Sequence, residues 1–427
     1  MTSAATLEKI DVAALRVGMF VHLDLGWMAH PFPLSNFRIA SDEQIATIRS
    51  LGVKHVRWNR DQSDDEAATV EPAAPASTIE GTGTPSSPMP LSPEAAERAE
   101  HRRRLGEQRA ALQLCERQFA EATRECKAAT DLVPIKPQEA AGRAAALSKA
   151  LVDKMVGEQD LCIRLLSEAA GDKASAHALN VTIISLLMGR TFGLGEQDML
   201  DIGVGALMHD VGKLELPDRM RHREEHFTPS ETRFYEEHVG HGVAHARKMG
   251  LTPGATLVIA QHHEHADGSG FPLKLNTDRM TALARIVALV NRYDNLCNPN
   301  LAARAMTPHE SLSLLFAQSK SKFDTAILGA FIKMMGVYPP GSTVQLTDDR
   351  FALVVGVNSS RPLKPRVMVH EPRLPRDEAL VLDLETTDSL GIRRSLRPQQ
   401  LPDAALAYLA PRPRVAYFFE PAPDTES

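Results

Sequence analysis

Residues 261–272 of the chain read QHHEHADGSGFP, with two adjacent histidines ahead of an acidic, glycine-rich turn. Neighbouring side chains point to opposite faces of a strand, or about 100° apart on a helix. One interpretation is a pair of metal ligands beside a close backbone turn. The alternative is a solvated turn without a ligand, and the rest of the sequence has to decide between the two.

The composition limits the functions that are open to the chain. A formal net charge of −6 over 427 residues gives no electrostatic case for a nucleic acid polymer as the main partner. A local basic site for a small anionic ligand remains compatible with that charge. No apolar run approaches the roughly 20 residues that a membrane-spanning helix needs. The first ten residues, MTSAATLEKI, lack the pattern of a signal peptide, so we expect a cytoplasmic protein.

The cysteines agree with that location. None of them has the CxxC spacing of a redox or zinc motif, which predicts reduced thiols. The four are Cys115, Cys126, Cys162 and Cys297.

Composition also divides the chain into segments. Residues 1–61 mix short apolar stretches with turn residues and predict a small α+β domain. Residues 62–92 are rich in Pro, Ser, Thr and acids, which predicts a disordered linker. Residues 93–139 are rich in Ala, Glu and Arg and predict a long helix with one apolar face. That face would either pack within the chain or pair in a homodimer.

The second half of the chain changes from helical to β-like patterns. Residues 140–336 read as helix and loop, and two apolar stretches, 178–188 and 282–290, predict buried core helices. Residues 337–427 contain short alternating runs such as RFALVVGVN, which predict a small β-rich C-terminal domain and tail. We therefore expect a mainly α protein, with a helical bundle flanked by small α+β and β-rich domains.

The helical block concentrates residue types that bind metal ions. The segment MHDVGKLELPD (208–218) places His209 and Asp210 at the end of an apolar stretch. Imidazole and carboxylate groups suit Fe, Mn or Zn, and the two oxygens of Asp210 can bridge two ions. Two ions roughly 4 Å apart would clamp a phosphodiester and activate a water. Further imidazoles upstream and downstream are His177, His238, His262 and His263.

A single histidine on a helix is more often packed or solvated than metal-bound, and an HD dipeptide alone indicates little. The combination is more specific, because HD is followed by Gly-Lys and later by HH and a DGxG turn. We expect the remaining histidines of this block to be packed or solvated side chains and not metal ligands. They are His222, His226, His241, His245 and His265.

In order and wording these segments resemble the HD superfamily of metal-dependent phosphohydrolases, and within it the HD-GYP branch. MHDVGKLELPD resembles that branch's HD-x-GK segment, and HHEHADGSGFP resembles its HHE-x-x-DGxGYP segment. The resemblance continues through residues 283–296 to residues 303–312. Residues 15–58 are similar to a domain of unknown function that often precedes HD-GYP domains. The resemblance implies an HD-superfamily helical bundle.

It also implies a bacterial signalling enzyme, a hydrolase that cleaves cyclic di-GMP to pGpG and in some members to GMP. The cofactors would be two divalent metal ions, Fe or Mn. By resemblance, the first ion would be held by His177, His209 and Asp210. The second would be held by Asp210, His238, His262 and His263. Lys213 would neutralise phosphate charge in the transition state.

The same resemblance implies which residues contact the substrate. It also shows where this sequence differs from the family's pattern. The implied substrate-binding residues are Asp267, Gly268, Gly270 and Arg304. The family's last metal-binding aspartate aligns with Asn291, whose neutral amide is a weaker ligand, so one of the two ions would be incompletely held. Asp294 lies one turn further along but matches a second aspartate that the family already carries. The remaining departures are Lys173 at a glutamate that holds a third ion in some members, Phe271 at the tyrosine of GYP, and Asn300 at an arginine that contacts guanine.

Two functional hypotheses follow. The retained ligands and Lys213 favour an active cyclic di-GMP phosphodiesterase. Asn291 and Asn300 favour a degenerate HD-GYP protein that binds nucleotide or a protein partner with little turnover. An HD hydrolase for another nucleotide, such as a guanosine polyphosphate, fits the HHE-x-x-DGSG segment less well. The signal sensed by the N-terminal domain and any signalling partners are not specified by the sequence.

Overall fold

A computed structural model describes residues 7–25, 30, 32, 36–64, 93–155, 160–167, 171–222, 227–318, 320–358, 361–387 and 389–422. The expected linker at 62–92 lies outside the described residues from position 65 onward. The chain divides into two units, Met1–Arg102 and Arg103–Ser427.

The first unit contains a four-stranded antiparallel sheet in the order β1-β4-β2-β3. Helix α1 (Asp42–Ser50) begins where the Ser41 side chain accepts a hydrogen bond from the backbone of Gln44. It buries Ile45 and Ile48 in the core of this unit. The predicted small α+β domain is therefore present. Its strands are β1 (Leu7–Asp11), β2 (Phe20–His22), β3 (Asn36–Arg38) and β4 (His55–Asn59).

The second unit is mainly helical. Its central helix, α4, is buried over most of its length and packs against α5 and α8, while α5 also packs against α7. Because both apolar stretches named above lie in buried helices, the expected helical bundle is confirmed. The helices from residue 93 onward, the first of which starts before the boundary at Arg103, are α2 (Pro93–Leu132), α3 (Pro137–Met155), α4 (Lys173–Thr191), α5 (Glu196–Leu207), α6 (Pro229–Met249), α7 (Pro253–Gln261), α8 (Ala282–Cys297), α9 (Pro308–Gln318), α10 (Thr325–Met335) and α11 (Asp403–Leu409).

A seven-stranded antiparallel sheet completes this unit. Five strands follow the order β10-β6-β7-β5-β11, and β8 and β9 extend from β7. The strands are β5 (Leu161–Leu165), β6 (Thr343–Leu346), β7 (Phe351–Asn358), β8 (Arg366–Val369), β9 (Val381–Asp383), β10 (Ile392–Leu396) and β11 (Tyr417–Pro421).

Strand β5 differs from the sequence expectation, which predicts only helix and loop between residues 140 and 336. All five residues of β5 are buried, so the strand lacks the alternation that marks a strand with one exposed face. Its pairing with β11 joins the C-terminal segment to the helical part of the unit. Among the described residues, no helix is both long and apolar enough to cross a bilayer.

Candidate metal centre

The candidate ligands come from four helices or the turns that follow them. His177 lies on α4 and His238 on α6, while His209-Asp210 begins two residues after the end of α5 and His262-His263 directly follows α7. The HD turn can approach α6 because residue 212 is glycine. A Cβ there would lie 1.9 Å from the carbonyl oxygen of His238 and 2.4 Å from the amide nitrogen of Gly242. Only glycine fits this contact.

The first cluster consists of His177, His209 and Asp210. The Nε2 atoms of the two histidines are 3.2 Å apart. Asp210 Oδ2 lies 3.3 Å from His209 Nε2 and 3.8 Å from His177 Nε2. Three donor atoms thus converge within the span of one metal ion's coordination shell.

The second cluster contains Asp210, His238, His262 and His263, whose donor atoms lie within 4.8 Å of one another. Nε2 of His238 and Nε2 of His262 are each 3.7 Å from Asp210 Oδ1. Asp210 therefore presents one oxygen to each cluster, which is the arrangement of a bridging carboxylate.

Backbone carbonyls orient three of the histidines. The Nδ1 atoms of His209, His238 and His262 lie 2.7, 2.6 and 2.7 Å from the carbonyl oxygens of Ala206, Tyr235 and Ile259. A carbonyl can only accept a hydrogen bond, so Nδ1 carries the proton and the Nε2 lone pair faces the cluster.

Burial keeps His209 and His238 neutral, as metal ligation requires. Burial lowers the pKa of His209, and it lowers the pKa of His238 to about 3. At neutral pH both rings therefore offer a lone pair rather than a proton to the cluster.

Two polar atoms of the second cluster lack partners among the described residues. Asp210 Oδ1 and His263 Nε2 are buried without a hydrogen bond. Buried polar atoms are normally satisfied, so this pair calls for an additional ligand. A divalent cation fits, because both atoms are donors of the type that Fe, Mn and Zn accept.

A cation of the chain itself also lies against Asp210. Lys213 Nζ is 2.6 Å from Asp210 Oδ2, and it lies 5.5 Å from the centre of the Tyr235 ring. Burial alone would lower the pKa of Lys213, but the Asp210 carboxylate outweighs it and raises that pKa. Burial would likewise raise the pKa of Asp210, yet the charge of Lys213 holds it well below its usual range. Both groups are therefore charged at neutral pH.

Comparison with known proteins matches both parts of the chain. A domain of unknown function, DUF3391, matches residues 7–144, and the HD domain matches residues 139–327. The chain is an HD-GYP protein with an N-terminal DUF3391 domain.

Curated relatives of this HD-GYP protein are phosphodiesterases of cyclic dinucleotides. A cyclic di-GMP phosphodiesterase of Pseudomonas aeruginosa is 27% identical over 85% of this chain and 85% of its own length. A cyclic di-GMP phosphodiesterase response regulator of Xanthomonas campestris is 27% identical over 37% of this chain and 43% of its own length. A 3′3′-cGAMP-specific phosphodiesterase of Vibrio cholerae is 28% identical over 42% of this chain and 35% of its own length.

In this HD-GYP protein, Asp294 contacts the ring nitrogen of His177 that does not face the first cluster. Its Oδ2 lies 2.6 Å from His177 Nδ1. Its Oδ1 accepts hydrogen bonds of 2.9 Å from Asn180 and from Asn298. Since both oxygens are engaged in this way, Asp294 orients a candidate ligand and does not replace the metal-binding aspartate that the resemblance implies at position 291.

Asn291 is buried on α8. The Asn295 amide donates to its side-chain oxygen at 2.7 Å and to its backbone carbonyl at 2.9 Å. The side-chain oxygen is therefore already an acceptor, which leaves one lone pair for any further ligand. Coordination by Asn291 remains a prediction.

The signature turn after His263 is built on hydrogen bonds and glycines. Asp267 accepts from the amide of Ser269 at 2.9 Å, and Gly268 has a φ of +76°. A Cβ at Gly270 would lie 2.4 Å from the amide nitrogen of His265. The buried Glu264 closes the loop by accepting from the amides of Leu273 (2.7 Å) and Leu275 (2.8 Å). Glu264 stands in the HHE segment, yet the sequence alone gives it no role.

A cavity of about 530 Å³ opens beside the first cluster. His177, Asp210 and Lys213 line it, but the expected substrate contacts Asp267, Gly268, Gly270 and Arg304 are not among its lining residues. Their role in substrate binding remains a prediction. The cavity's other charged lining residues are of both signs: Lys127, Lys173, Arg221 and Arg414 on the one hand, and Asp131, Asp172 and Asp294 on the other.

Proposed function

We propose that the chain is a metal-dependent phosphodiesterase that hydrolyses cyclic di-GMP to linear pGpG. The observation that carries the proposal is Asp210, which presents one oxygen to each of two histidine clusters and has one of these oxygens without a partner. The relatives named as cyclic di-GMP phosphodiesterases support the choice of substrate. A second hydrolysis to GMP is a separate outcome of the same assay.

The residues suited to the cofactor are those of the two clusters. His177, His209 and Asp210 would hold one divalent ion, Fe or Mn, and Asp210 with His238, His262 and His263 would hold the other. Such ions polarise a phosphodiester and make a water molecule more nucleophilic.

The chain's own contribution to the chemistry is charge and position. Lys213 is protonated and partly buried beside Asp210, so its ammonium group can stabilise the negative charge that develops on the phosphoryl oxygens. Lys173 in the cavity wall is a further cation that suits a phosphate group, whereas Lys127 and Arg221 pair with Asp131 and Asp218. A cytoplasmic location, a homodimer and signalling partners remain predictions beside this proposal.

The test uses full-length protein purified without oxygen and loaded with iron or manganese. We expect conversion of cyclic di-GMP to pGpG, and we expect the double change His209→Ala with Asp210→Ala to abolish it. 3′,3′-cGAMP is assayed in parallel because one relative is named for that substrate. Turnover that survives the double change would show that the activity lies elsewhere.

Asn291 supports a second candidate, a protein that binds the dinucleotide with little turnover. Its neutral amide replaces a carboxylate, and its oxygen already accepts from Asn295. Tight binding of cyclic di-GMP without product, by protein whose metal content has been measured, would favour this second candidate.

A further inference from the structure

The cavity beside the first cluster is walled in part by an arginine from outside the HD domain. Arg414 lies between α11 and β11, well beyond the matched residues 139–327. It lines the same cavity as His177 and Asp210. Its Nη2 donates to the carbonyl oxygen of Pro299 at 3.4 Å, next to Asn300, which is also in the lining.

The backbone that carries Arg414 is fixed by side chains of the helical bundle. The amide of Val415 donates to Asn298 Oδ1 at 2.9 Å. Its carbonyl accepts from Asn298 at 2.9 Å and from Asn180 at 3.0 Å. The same two asparagines donate to Asp294, the partner of His177. The position of Arg414 is thus tied to the candidate metal ligands.

The surroundings of Arg414 indicate what it binds. A guanidinium has five N–H donors, and the contact with Pro299 accounts for one of them. Its neighbours in the lining around residues 298–300 are amide side chains rather than further cations. An arginine beside amides suits the O6 and N7 acceptors on the edge of guanine, whereas adenine presents an amino donor in place of O6.

We propose that Arg414 binds the edge of a guanine base and sets a preference for guanine over adenine. This inference rests on the proposed function, since it takes a cyclic dinucleotide as the ligand of the cavity. It gives the C-terminal segment a direct part in substrate recognition.

The experiment compares ligands that carry two, one and no guanine bases: cyclic di-GMP, 3′,3′-cGAMP and cyclic di-AMP. Dissociation constants are measured for metal-loaded full-length protein, together with KM wherever turnover occurs. We expect Arg414→Ala to weaken cyclic di-GMP about tenfold or more, since charge-assisted hydrogen bonds are worth about that factor. The dissociation constant for cyclic di-AMP should be nearly unchanged by this substitution. Arg414→Lys should fall in between, because a single ammonium cannot make the bidentate contact.

Arg412→Ala is the matched control, since Arg412 is exposed two residues earlier and is not in the cavity lining. Arg414→Gln serves as a milder variant if thermal melting shows that Arg414→Ala is unfolded. An equal loss for all three ligands would identify a phosphate contact and overturn the guanine assignment. Unchanged affinities in Arg414→Ala, or a fall in kcat with an unchanged KM, would also overturn the guanine assignment. If wild-type protein neither binds nor cleaves any of the three, the proposed function itself fails.

Discussion

Asn291 stands where the resemblance to HD-GYP proteins implies a metal-binding aspartate. An amide oxygen is neutral, so it stabilises a divalent cation less than a carboxylate does. We expect wild-type protein to hold clearly fewer than two metal ions per chain and Asn291→Asp to raise that number. Elemental analysis of protein purified in parallel measures both. Gln318→Glu is the control, since it adds the same charge at the exposed end of α9, outside the cavity lining. Equal, near-stoichiometric metal in wild type and Asn291→Asp would contradict the prediction.

Phe271 stands where the GYP motif has tyrosine, and its ring stacks on His263. The two ring centres are 4.5 Å apart with an interplanar angle of 23°. This stacking fixes the plane of His263, whose Nε2 is one of the two buried atoms of the second cluster without a partner among the described residues. We expect Phe271→Ala to weaken metal binding about tenfold, within the range measured for lost outer-sphere support. Phe271→Tyr keeps the ring and should bind metal like the wild type. Titration with Mn²⁺ distinguishes the two, and equal affinity in all three proteins would show that the ring does not position His263.

At the residue scale, the sequence predicts the clustered ligands but not what orients them. His209, Asp210, His262 and His263 stand in short motifs, so their proximity follows from local spacing and resemblance. Asn180 and Asp294 meet across 114 positions of sequence. Arg414 reaches Pro299 across 115 positions. No local pattern encodes such contacts, because they depend on how helices and the final strand pack.

At the element scale, a buried ion cluster joins β5, β8 and β11. Glu420 Oε1 lies 2.9 Å from Arg164 and 2.8 Å from Arg366. All three side chains are largely buried, so removing the carboxylate would leave two guanidinium charges without compensation. We expect Glu420→Gln to lower the free energy of unfolding by about 3–5 kcal/mol. Urea denaturation followed by circular dichroism measures the change.

The exposed pair of Arg393 and Asp349 on the same sheet provides the comparison. Asp349→Asn should cost less than about 1 kcal/mol, because solvent screens exposed ion pairs. A loss at Glu420→Gln no larger than this would show that the buried cluster does not hold the strands together. The cluster also explains why the sequence does not predict β5. Arg164 interrupts an apolar run, and its charge can be buried because it pairs with Glu420, which lies 256 positions away on β11.

At the scale of the whole molecule, the reactivity of the four cysteines reports whether the core of the second unit excludes solvent and reagents. All four are free and buried. Burial raises the pKa of Cys126 to about 12, of Cys162 to about 11 and of Cys297 to about 12, and it raises that of Cys115 as well. Only a thiolate reacts readily, so these thiols are protected by both low ionisation and lack of access.

We therefore expect native protein at about pH 8 to react negligibly with Ellman's reagent, whereas protein in guanidinium chloride releases four equivalents. Ser50→Cys, at the exposed end of α1, supplies a positive control and should add one rapidly reacting thiol to the native protein. A native cysteine that reacts as fast as this added one would reveal local opening around it. Cys115 and Cys162 lie beside the Glu420 cluster, so Glu420→Gln should accelerate labelling at these two positions before it affects Cys297. Labelling order, read by mass spectrometry of tryptic peptides, thus connects the ion cluster to the integrity of the whole unit.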